Sequence, residues 1–462
     1  MSVLHKLLPL SLVTSFLLFL QTASGQEITL SIKDVLQRVE KNLPQLEAYR
    51  QQALAQKENS RLAKNSLVPE LTVGYQANIA TFNNITGMSY PGLLMPISGP
   101  PSANNDLNFV PGSALGLLVK WNPFTFGQRN AAIEKAAAQY KEANATYNEQ
   151  LFRYQYSALN IYLEAVYVQQ VMKTLQAGIA RNRTDLDQSL VLAATGLKPG
   201  IDTTQFQSAI IQGEMDWLQA EKTFLQKLTE LGNLTGIAQD TARTILLTDT
   251  SFNRNIPAIT DTLSLTSHPL YKTLLARQKT REAELIETRK SWVPQLDIWG
   301  NLYTRGSGID ASGQVDKMDG FRFSRTNAGL GLQLSFPLLQ YSKVNIRMKQ
   351  QSLLVKAAEA DKAQAGLTIS QQSEGAFLQY RQDIKISEKV PLLLKAAQDV
   401  YEGLRISYEA GLIDYTRLSQ AQYDLVKAEL NNAGAQLQLW RSLLAIAVAR
   451  GNLDIFLSPL LK

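Results

Sequence analysis

Few residues of this chain have the chemistry for catalysis or metal binding. Cysteine is absent, and of the two histidines His268 stands directly before Pro269, a context typical of a structural residue. Nucleophilic catalysis and metal binding need such side chains in clusters, and the sequence shows none. The acid pair Asp185 and Asp187 lies in a polar helical stretch, where we expect both carboxylates to be solvated. The sequence therefore predicts no enzyme, no cofactor and no metal site.

Composition argues against nucleic-acid binding as well. The chain has 46 Lys and Arg against 40 Asp and Glu, a net charge of +6, and these charges are scattered along predicted helices. A nucleic-acid interface needs basic residues clustered on one surface. Glycine-rich phosphate loops and nucleophile elbows are also missing from the sequence.

The N-terminus has the pattern of a secretory signal peptide over residues 1–25. Lys6 precedes an apolar run from Leu7 to Leu20, and the small residues Ala23 and Gly25 suit a cleavage site. The run is too short to span a bilayer, and no later stretch approaches the roughly 18 apolar residues that a spanning helix requires. If the mature chain enters a membrane, we expect it to do so as strands.

The mature chain is an internal duplication. Pro44 matches Pro269 at an offset of 225 residues, and Gly196 matches Gly411 at an offset of 215. The ten-residue difference indicates a longer loop in one copy. A single duplication of so long a unit predicts pseudo-twofold structure instead of a many-repeat solenoid.

The duplication sets the predicted organisation of the chain. The first repeat covers 26–250, with a β-hairpin at 70–121 and long helices at 130–235. The second repeat covers 251–462, with a β-hairpin at 295–336, long helices at 345–450 and a C-terminal segment that lies outside those helices.

Each predicted hairpin alternates apolar residues with small or polar ones. In the first strand Leu71, Val73 and Tyr75 share one face, and the other strands repeat the pattern. This alternation suits a strand with lipid on one side and water on the other. It equally suits a soluble sheet packed on helices. Trp299 and Tyr303 fall on the polar face and weaken the membrane interpretation.

The number of strands adds a constraint. Strands in a bilayer cannot leave an open edge, and the smallest closed membrane barrels have about eight strands. Four strands per chain must then be completed by other copies, and three chains would supply twelve.

Two predicted helices are too long for a compact globule. The stretch 130–193 contains no proline and would run about 95 Å as one helix. The matching stretch 345–410 is as long, and Gly375, Pro391 and Gly403 predict a bend or a local break in it. Helices of this length must pack side by side, as coiled coils or as the wall of a tube.

These features in this order resemble the TolC family of outer-membrane efflux ducts. The resemblance covers nearly all of the mature chain, and its residues are Val68-Pro69, Val293-Pro294, His268-Pro269-Leu270, the turn 195–202 and the turn 408–412. It implies a mainly α fold: a homotrimer with a twelve-stranded barrel in the Gram-negative outer membrane and a long periplasmic α-helical tunnel.

The same resemblance implies the function and the partners. The chain would be the exit duct of a tripartite efflux or type I secretion system. Its tunnel would dock a periplasmic adaptor (membrane fusion) protein and an inner-membrane transporter of the RND, ABC or MFS class, with outer-membrane lipid around the barrel. The alternative is a secreted or surface coiled-coil scaffold or adhesin with no channel.

The resemblance also implies functional residues at the two helix turns. Adaptor docking carries over to Gly196, Leu197, Gly411 and Leu412, although a glycine there also suits an ordinary helix C-cap.

The periplasmic gate carries over to Asp202, Tyr408, Asp414, Arg417 and Gln420. Asp202 and Tyr408 correspond to the acid and tyrosine that link the two tips, and we expect a hydrogen bond between them. The reinforcing arginine of the family falls at Ile413, and its acidic ring falls at Arg417 and Gln420. We therefore expect a differently charged or looser gate.

Overall fold

A computed structural model describes residues 29–81, 83, 104–248, 259, 264–310, 312 and 314–460. The predicted signal peptide lies outside them. The helices are α1 (Ile32–Asn42), α2 (Pro44–Asn65), α3 (Gln128–Ala194), α4 (Ile201–Thr235), α5 (Gln239–Ala242), α6 (Pro269–Lys290), α7 (Tyr341–Glu409), α8 (Tyr415–Ala449) and α9 (Asp454–Leu457). The strands are β1 (Thr29–Leu30), β2 (Glu70–Ala80), β3 (Val110–Phe124), β4 (Leu246–Leu247), β5 (Gln295–Ser307) and β6 (Arg325–Ser335).

The chain divides into two compact units, and each contains residues from both halves of the duplication. One unit comprises Met1–Ala53, Ala143–Leu275 and Asp361–Lys462, and the other comprises Leu54–Glu142 and Ala276–Ala360. Each compact unit therefore brings together corresponding elements of the two repeats.

The second unit contains a four-stranded antiparallel sheet in the order β2-β3-β5-β6. β2 pairs only with β3, and β6 pairs only with β5, so both outer strands keep one edge open within the described chain. β3 and β5 come from different halves of the duplication. Their pairing makes the two predicted hairpins one sheet.

The register of this sheet places the apolar residues of all four strands on one face. Tyr75 lies opposite Leu115, Leu117 lies opposite Leu302, and Ile298 lies opposite Leu332. Residues directly opposite each other point to the same side of a sheet. The exposed apolar residues of this face include Leu71, Val73, Tyr75, Leu115, Leu302, Leu330, Leu332 and Leu334. Every residue of β2 is exposed, so no layer of the described chain covers either side of that strand.

Glycines explain the aromatic residues on the polar face. A Cβ at Gly331 would lie 2.5 Å from the Trp299 ring, so only glycine leaves room for the indole. Gly116 lies directly opposite Tyr303 in the register. Cross-strand glycines that receive aromatic rings are a recurring device in sheets. Trp299 and Tyr303 therefore cover backbone on the small-residue face.

The first unit has a large apolar core around Trp440. Its largest fully buried side chains include Trp440, Tyr162 and Phe456, and the Trp440 and Phe456 rings meet edge to face at 5.9 Å. The short parallel pair of β1 and β4 belongs to this core through Leu30 and Leu247. The short elements β1, β4 and α9 thus pack against α3, α4 and α8 through apolar side chains.

The long helix α7 is continuous through Pro391. The expectation of a local break at Gly375, Pro391 or Gly403 is therefore wrong. A proline costs a helix one hydrogen bond, and the packing of the other residues of so long an element offsets a loss of this size.

None of the helices in the described ranges has a segment long and apolar enough to cross a bilayer.

Candidate functional site

Two helix turns with the same geometry form the centre of the candidate site. α3 ends where Gly196 adopts a φ of 71°, and α7 ends where Gly411 adopts a φ of 74°. After each glycine, the leucine N–H donates to a carbonyl five residues back: Leu197 to Leu192 and Leu412 to Ser407, both at 2.9 Å. These bonds define Schellman caps, whose left-handed residue is usually glycine because it has no Cβ.

The two leucines after the caps are strongly exposed. Leu197 is 71% exposed and Leu412 is 78% exposed. A Cβ built on Gly196 or Gly411 meets nothing within 4 Å, so the backbone there is open to a partner. Adaptor docking at these four residues stays a prediction.

The expected hydrogen bond between Asp202 and Tyr408 is present. The Tyr408 hydroxyl donates to Asp202 Oδ2 at 2.9 Å, and Ser189 Oγ lies 3.5 Å from the same hydroxyl. Tyr408 is 2% exposed and Asp202 is 7% exposed, so both side chains are withdrawn from water. Tyr408 lies on α7, Asp202 on α4 and Ser189 on α3. The contact therefore joins one helix hairpin to the other.

Burial keeps the tyrosine in its hydrogen-bonding form. Burial is the largest cause that raises the pKa of Tyr408 to about 12, and the Asp202 carboxylate adds to the shift. The hydroxyl therefore keeps its proton at neutral pH and donates a hydrogen bond to Asp202. Phe206 packs edge-on against Tyr408 and Tyr415, with ring centroids 6.1 Å and 4.7 Å apart. This aromatic cluster keeps water away from the hydrogen bond.

A lysine contributes a cation at this contact. Lys198 Nζ lies 4.9 Å from the centroid of the Tyr408 ring and donates to the backbone oxygen of Ile413. Ile413 is where the family's reinforcing arginine would fall, so its side chain supplies no charge. Lys198 comes from the opposite turn and ties that backbone position to the first hairpin. The sequence alone does not indicate this contact, because it joins positions that are distant in the chain.

A second tyrosine–carboxylate pair lies beside the first. The Tyr401 hydroxyl donates to Asp185 Oδ2 at 3.1 Å, and Asp185 is only 4% exposed. The expectation that Asp185 is solvated is therefore wrong, whereas Asp187 is exposed as expected. Tyr401 and Tyr408 are seven residues apart, and residues at this spacing share one helix face. That spacing is the feature of the sequence that could have indicated a second pair.

Burial is the largest influence on the pKa values of this second pair. It raises the pKa of the Asp185 carboxyl, against the lowering effects of the Tyr401 hydrogen bond and of Arg405 and Arg181. Glu409 adds to the increase. Burial likewise raises the pKa of the Tyr401 hydroxyl. The pair is thus a buried hydrogen bond whose charged state is costly.

The other three predicted gate residues do not join this cluster. Asp414 caps α8 and accepts from the Arg417 backbone N–H at 3.2 Å. Gln420 donates to Asp424 on its own helix at 3.2 Å. Asp414, Arg417 and Gln420 are all exposed, and no hydrogen bond or ion pair in the described chain links them to Asp202 or Tyr408. Of the five predicted gate residues, only Asp202 and Tyr408 hydrogen-bond to each other within the described chain, and their gating role stays a prediction.

His268 is a packing residue in the first unit. It is buried, and its ring centroid lies 6.3 Å from that of Phe152. Burial lowers the pKa of its imidazole. A Cβ at Gly451 would lie 2.8 Å from the His268 Cα, so the two backbones approach closely.

Comparisons with known proteins find relatives of this chain in sequence and in fold. Residues 263–452 match the family model of the outer membrane efflux protein. The chain is 24% identical over 352 residues to Protein CyaE of Bordetella pertussis, a match that covers 74% of this chain and 72% of that protein.

Solved structures show the same fold over most of the chain. The outer-membrane channel OprN superposes with a TM-score of 0.72 at 18% identity, over 91% of this chain and 90% of OprN. The outer membrane protein VceC from Vibrio cholerae superposes with a TM-score of 0.73 at 14% identity, over 91% of this chain and 96% of VceC.

The fold is that of the outer-membrane channel proteins, and the second half of the chain is an outer membrane efflux protein domain. The resemblance to the TolC family of outer-membrane efflux proteins is thus confirmed. The protein is an outer-membrane exit duct for efflux or secretion, and this family is one of transport ducts.

Proposed function

We propose that three copies of this chain close into one duct, with a twelve-stranded barrel in the outer membrane and a periplasmic tunnel of long helices. The supporting observation is the sheet β2-β3-β5-β6, which has two open edges and one exposed apolar face. In lipid every strand edge must be paired. Joining β6 of one copy to β2 of the next satisfies both edges, and twelve strands fall within the range of membrane barrels.

The duct would work as the outer component of a tripartite efflux or type I secretion system. In this proposal the exposed Leu197 and Leu412 meet the periplasmic adaptor, which carries an RND, ABC or MFS transporter at the inner membrane. The paired turns support this assignment, because both present a leucine next to open backbone. Cargo would be selected by the transporter.

The contact between Asp202 and Tyr408 would hold the duct shut at rest. It joins two helix hairpins through one buried hydrogen bond, and Lys198 supports it from the first turn. A partner that separates the hairpins must break this bond. A single hydrogen bond with a charged acceptor contributes about 1.5–3 kcal/mol, which a docking adaptor can supply.

The proposed organisation of the precursor is a cleaved signal peptide (1–25) followed by the two repeats, 26–250 and 251–462. Corresponding turns, caps and strands recur in both repeats, which supports these limits.

Cell fractionation with a detergent gel and planar-bilayer recording tests the duct. We expect the protein in the outer-membrane fraction, as an oligomer that survives detergent until it is heated, and ion conductance after reconstitution. A coiled-coil scaffold or adhesin would instead wash off the membrane as soluble protein and give no conductance. That outcome would replace the duct with the alternative.

A further inference from the structure

The end of the sheet nearest the helices carries large exposed apolar residues. They lie where strands and helices connect: Leu67, Phe124, Phe126, Phe336, Leu339 and Tyr341. Leu339 is 97% exposed, and Phe126 takes a positive φ of 49°, a conformation that is costly for an aromatic residue. Exposed aromatic residues at strand ends are typical of the boundary between lipid and water.

Four exposed cations lie directly on the helix side of this apolar band. Lys64 and Arg289 are the penultimate residues of α2 and α6, and Lys343 and Arg347 lie within the first two turns of α7. Among the residues that the structure describes, none of the four makes an ion pair. We call these four residues the basic collar.

Acidic residues do not balance the collar. Glu287 is close in sequence to Arg289, but its carboxylate pairs with Lys135 Nζ at 2.9 Å. Arg129, near the start of α3, is not counted in the collar, because its guanidinium donates to the backbone oxygens of Asn122 and Pro123. Glu70 is also exposed at this end of the sheet, but it lies opposite Lys120 in the register. Among the described residues no carboxylate therefore forms an ion pair with the four collar cations.

Helix stability does not explain the whole collar. A cation near a helix C-terminus interacts favourably with the helix dipole, which accounts for Lys64 and Arg289. A cation near a helix N-terminus is unfavourable for the same reason. Lys343 lies in the first turn of α7, which has no acidic residue, and Arg347 follows one turn later. The position of Lys343 and Arg347 at the N-terminal end of α7 suggests that they bind an anion outside the chain.

We propose that the basic collar binds the phosphate groups of anionic phospholipids in the leaflet where the sheet meets the helices. This inference rests on the proposed insertion of the sheet in the membrane. Its basis is the order of surfaces from the sheet towards the helices: an apolar sheet face, an exposed aromatic band and then cations without an ion pair. A lipid leaflet has the complementary order of acyl chains, interface and phosphates. The attraction of one Lys or Arg to an anionic leaflet corresponds to about a fivefold change in association.

Spin-labelled lipids test the collar in the full-length protein. The protein is reconstituted in phosphatidylcholine bilayers, and electron paramagnetic resonance compares the association of labelled phosphatidylglycerol with that of labelled phosphatidylcholine. We expect the native protein to prefer phosphatidylglycerol, and the preference to weaken as salt is raised. The variant with Lys64→Gln, Arg289→Gln, Lys343→Gln and Arg347→Gln is expected to lose at least fivefold of this preference.

A matched variant controls for net charge. It carries Lys33→Gln, Lys41→Gln, Lys385→Gln and Lys389→Gln, which remove four exposed lysines from the first unit. We expect it to keep the preference, and Arg347→Lys to keep it as well, because the interaction depends on charge.

Each of the other possible results decides against the collar or against the duct. Equal preference in the native protein and the collar variant overturns the proposal, and so does an equal loss in the matched variant. A collar variant that keeps its lipid preference but no longer forms the oligomer assigns these cations to contacts between copies. A native protein that conducts ions but shows no preference refutes the collar alone. A native protein that washes off the membrane as soluble protein refutes the proposed duct.

Discussion

The candidate gate is a pair of buried hydrogen bonds between tyrosine hydroxyls and carboxylates. Tyr408 donates to Asp202, and Tyr401 donates to Asp185 two helical turns away. Each bond crosses from α7 to the other hairpin, so the bonds resist separation of the hairpins without crosslinking them permanently. A buried polar group that loses its partner costs about 1–3 kcal/mol unless water replaces that partner. Opening must therefore admit water at these positions.

Removal of the first bond should open the duct at rest. In the variant with Asp202→Ala and Tyr408→Phe the aromatic packing around Phe206 is largely kept, whereas the bond between the hairpins is lost. We expect a several-fold rise in single-channel conductance and greater leakage of a large antibiotic into cells. Asp187→Ala, which removes an exposed carboxylate, is the control and should change neither. Unchanged conductance in the double variant would count against the gating role.

The second bond should make the hairpins sensitive to pH. Burial raises the pKa of Asp185, so the folded state favours the protonated carboxyl. Stability from this group is then complete at a pH below the ordinary aspartate value of about 4, and it is lost as the pH rises through the raised pKa.

Asp185→Asn tests this pH dependence, because the amide is uncharged at every pH. Hydrogen exchange of α7 near Tyr401 should show protection that falls with rising pH in the native protein and stays flat in the variant. Asp187→Asn should keep the native slope, since Asp187 is exposed. A native protein with no slope over this range would contradict the assignment to Asp185.

At the scale of elements, the two Schellman turns set where each long helix ends. Gly196 and Gly411 adopt the left-handed conformation, and the leucine after each projects into solvent. Both repeats keep the same cap, so the two hairpins present equivalent turns. The turn geometry fixes the direction in which Leu197 and Leu412 point, and the proposed adaptor contact depends on that direction.

A substitution of either turn glycine by alanine should loosen its turn. The left-handed conformation costs a residue with a Cβ roughly 1–2 kcal/mol. We expect Gly196→Ala and Gly411→Ala to lower the free energy of local opening by about this amount, measured by hydrogen exchange at the turn. Gly200 has a helical φ of −63° and open space around it, so Gly200→Ala is the matched control. Because Gly200 is not left-handed, that variant should not show the loss of about 1–2 kcal/mol expected at the two turn glycines. Equal effects at the three glycines would mean that turn conformation does not matter.

At the scale of the whole molecule, a single chain contains an unfinished sheet. Among the described residues, β2 and β6 each have an open edge, and the apolar face is exposed along the sheet. Exposed edges of this kind pair with other chains unless they are protected. Pairing between copies, as in the proposed trimer, would close these edges.

Crosslinking between edge strands tests the trimer directly. The native chain has no cysteine, so introduced thiols react without background. We expect the variant with Gln76→Cys on β2 and Gln333→Cys on β6 to give linked dimers and trimers with a short bifunctional reagent. Gln76→Cys alone should give monomers, because β2 of one copy meets β6 of the next. Ladders that extend beyond three chains would indicate an open assembly and contradict the closed ring.

The local pattern of the sequence determined much of this protein. Period-two alternation identified the strands and the apolar face, and the helical stretches between breakers identified α3 and α7. The turn glycines and the bond between Asp202 and Tyr408 followed from resemblance. These features depend on the order of residues within a short stretch or on a matching motif.

Only the tertiary structure decided which distant residues meet. It placed Lys198 over Tyr408, and it buried Asp185 against Tyr401 although the local sequence is polar. It also left Asp414 and Arg417 as a helix cap, and it carried α7 unbroken through Pro391. Burial and partner choice depend on how helices pack side by side, and local composition does not encode that packing.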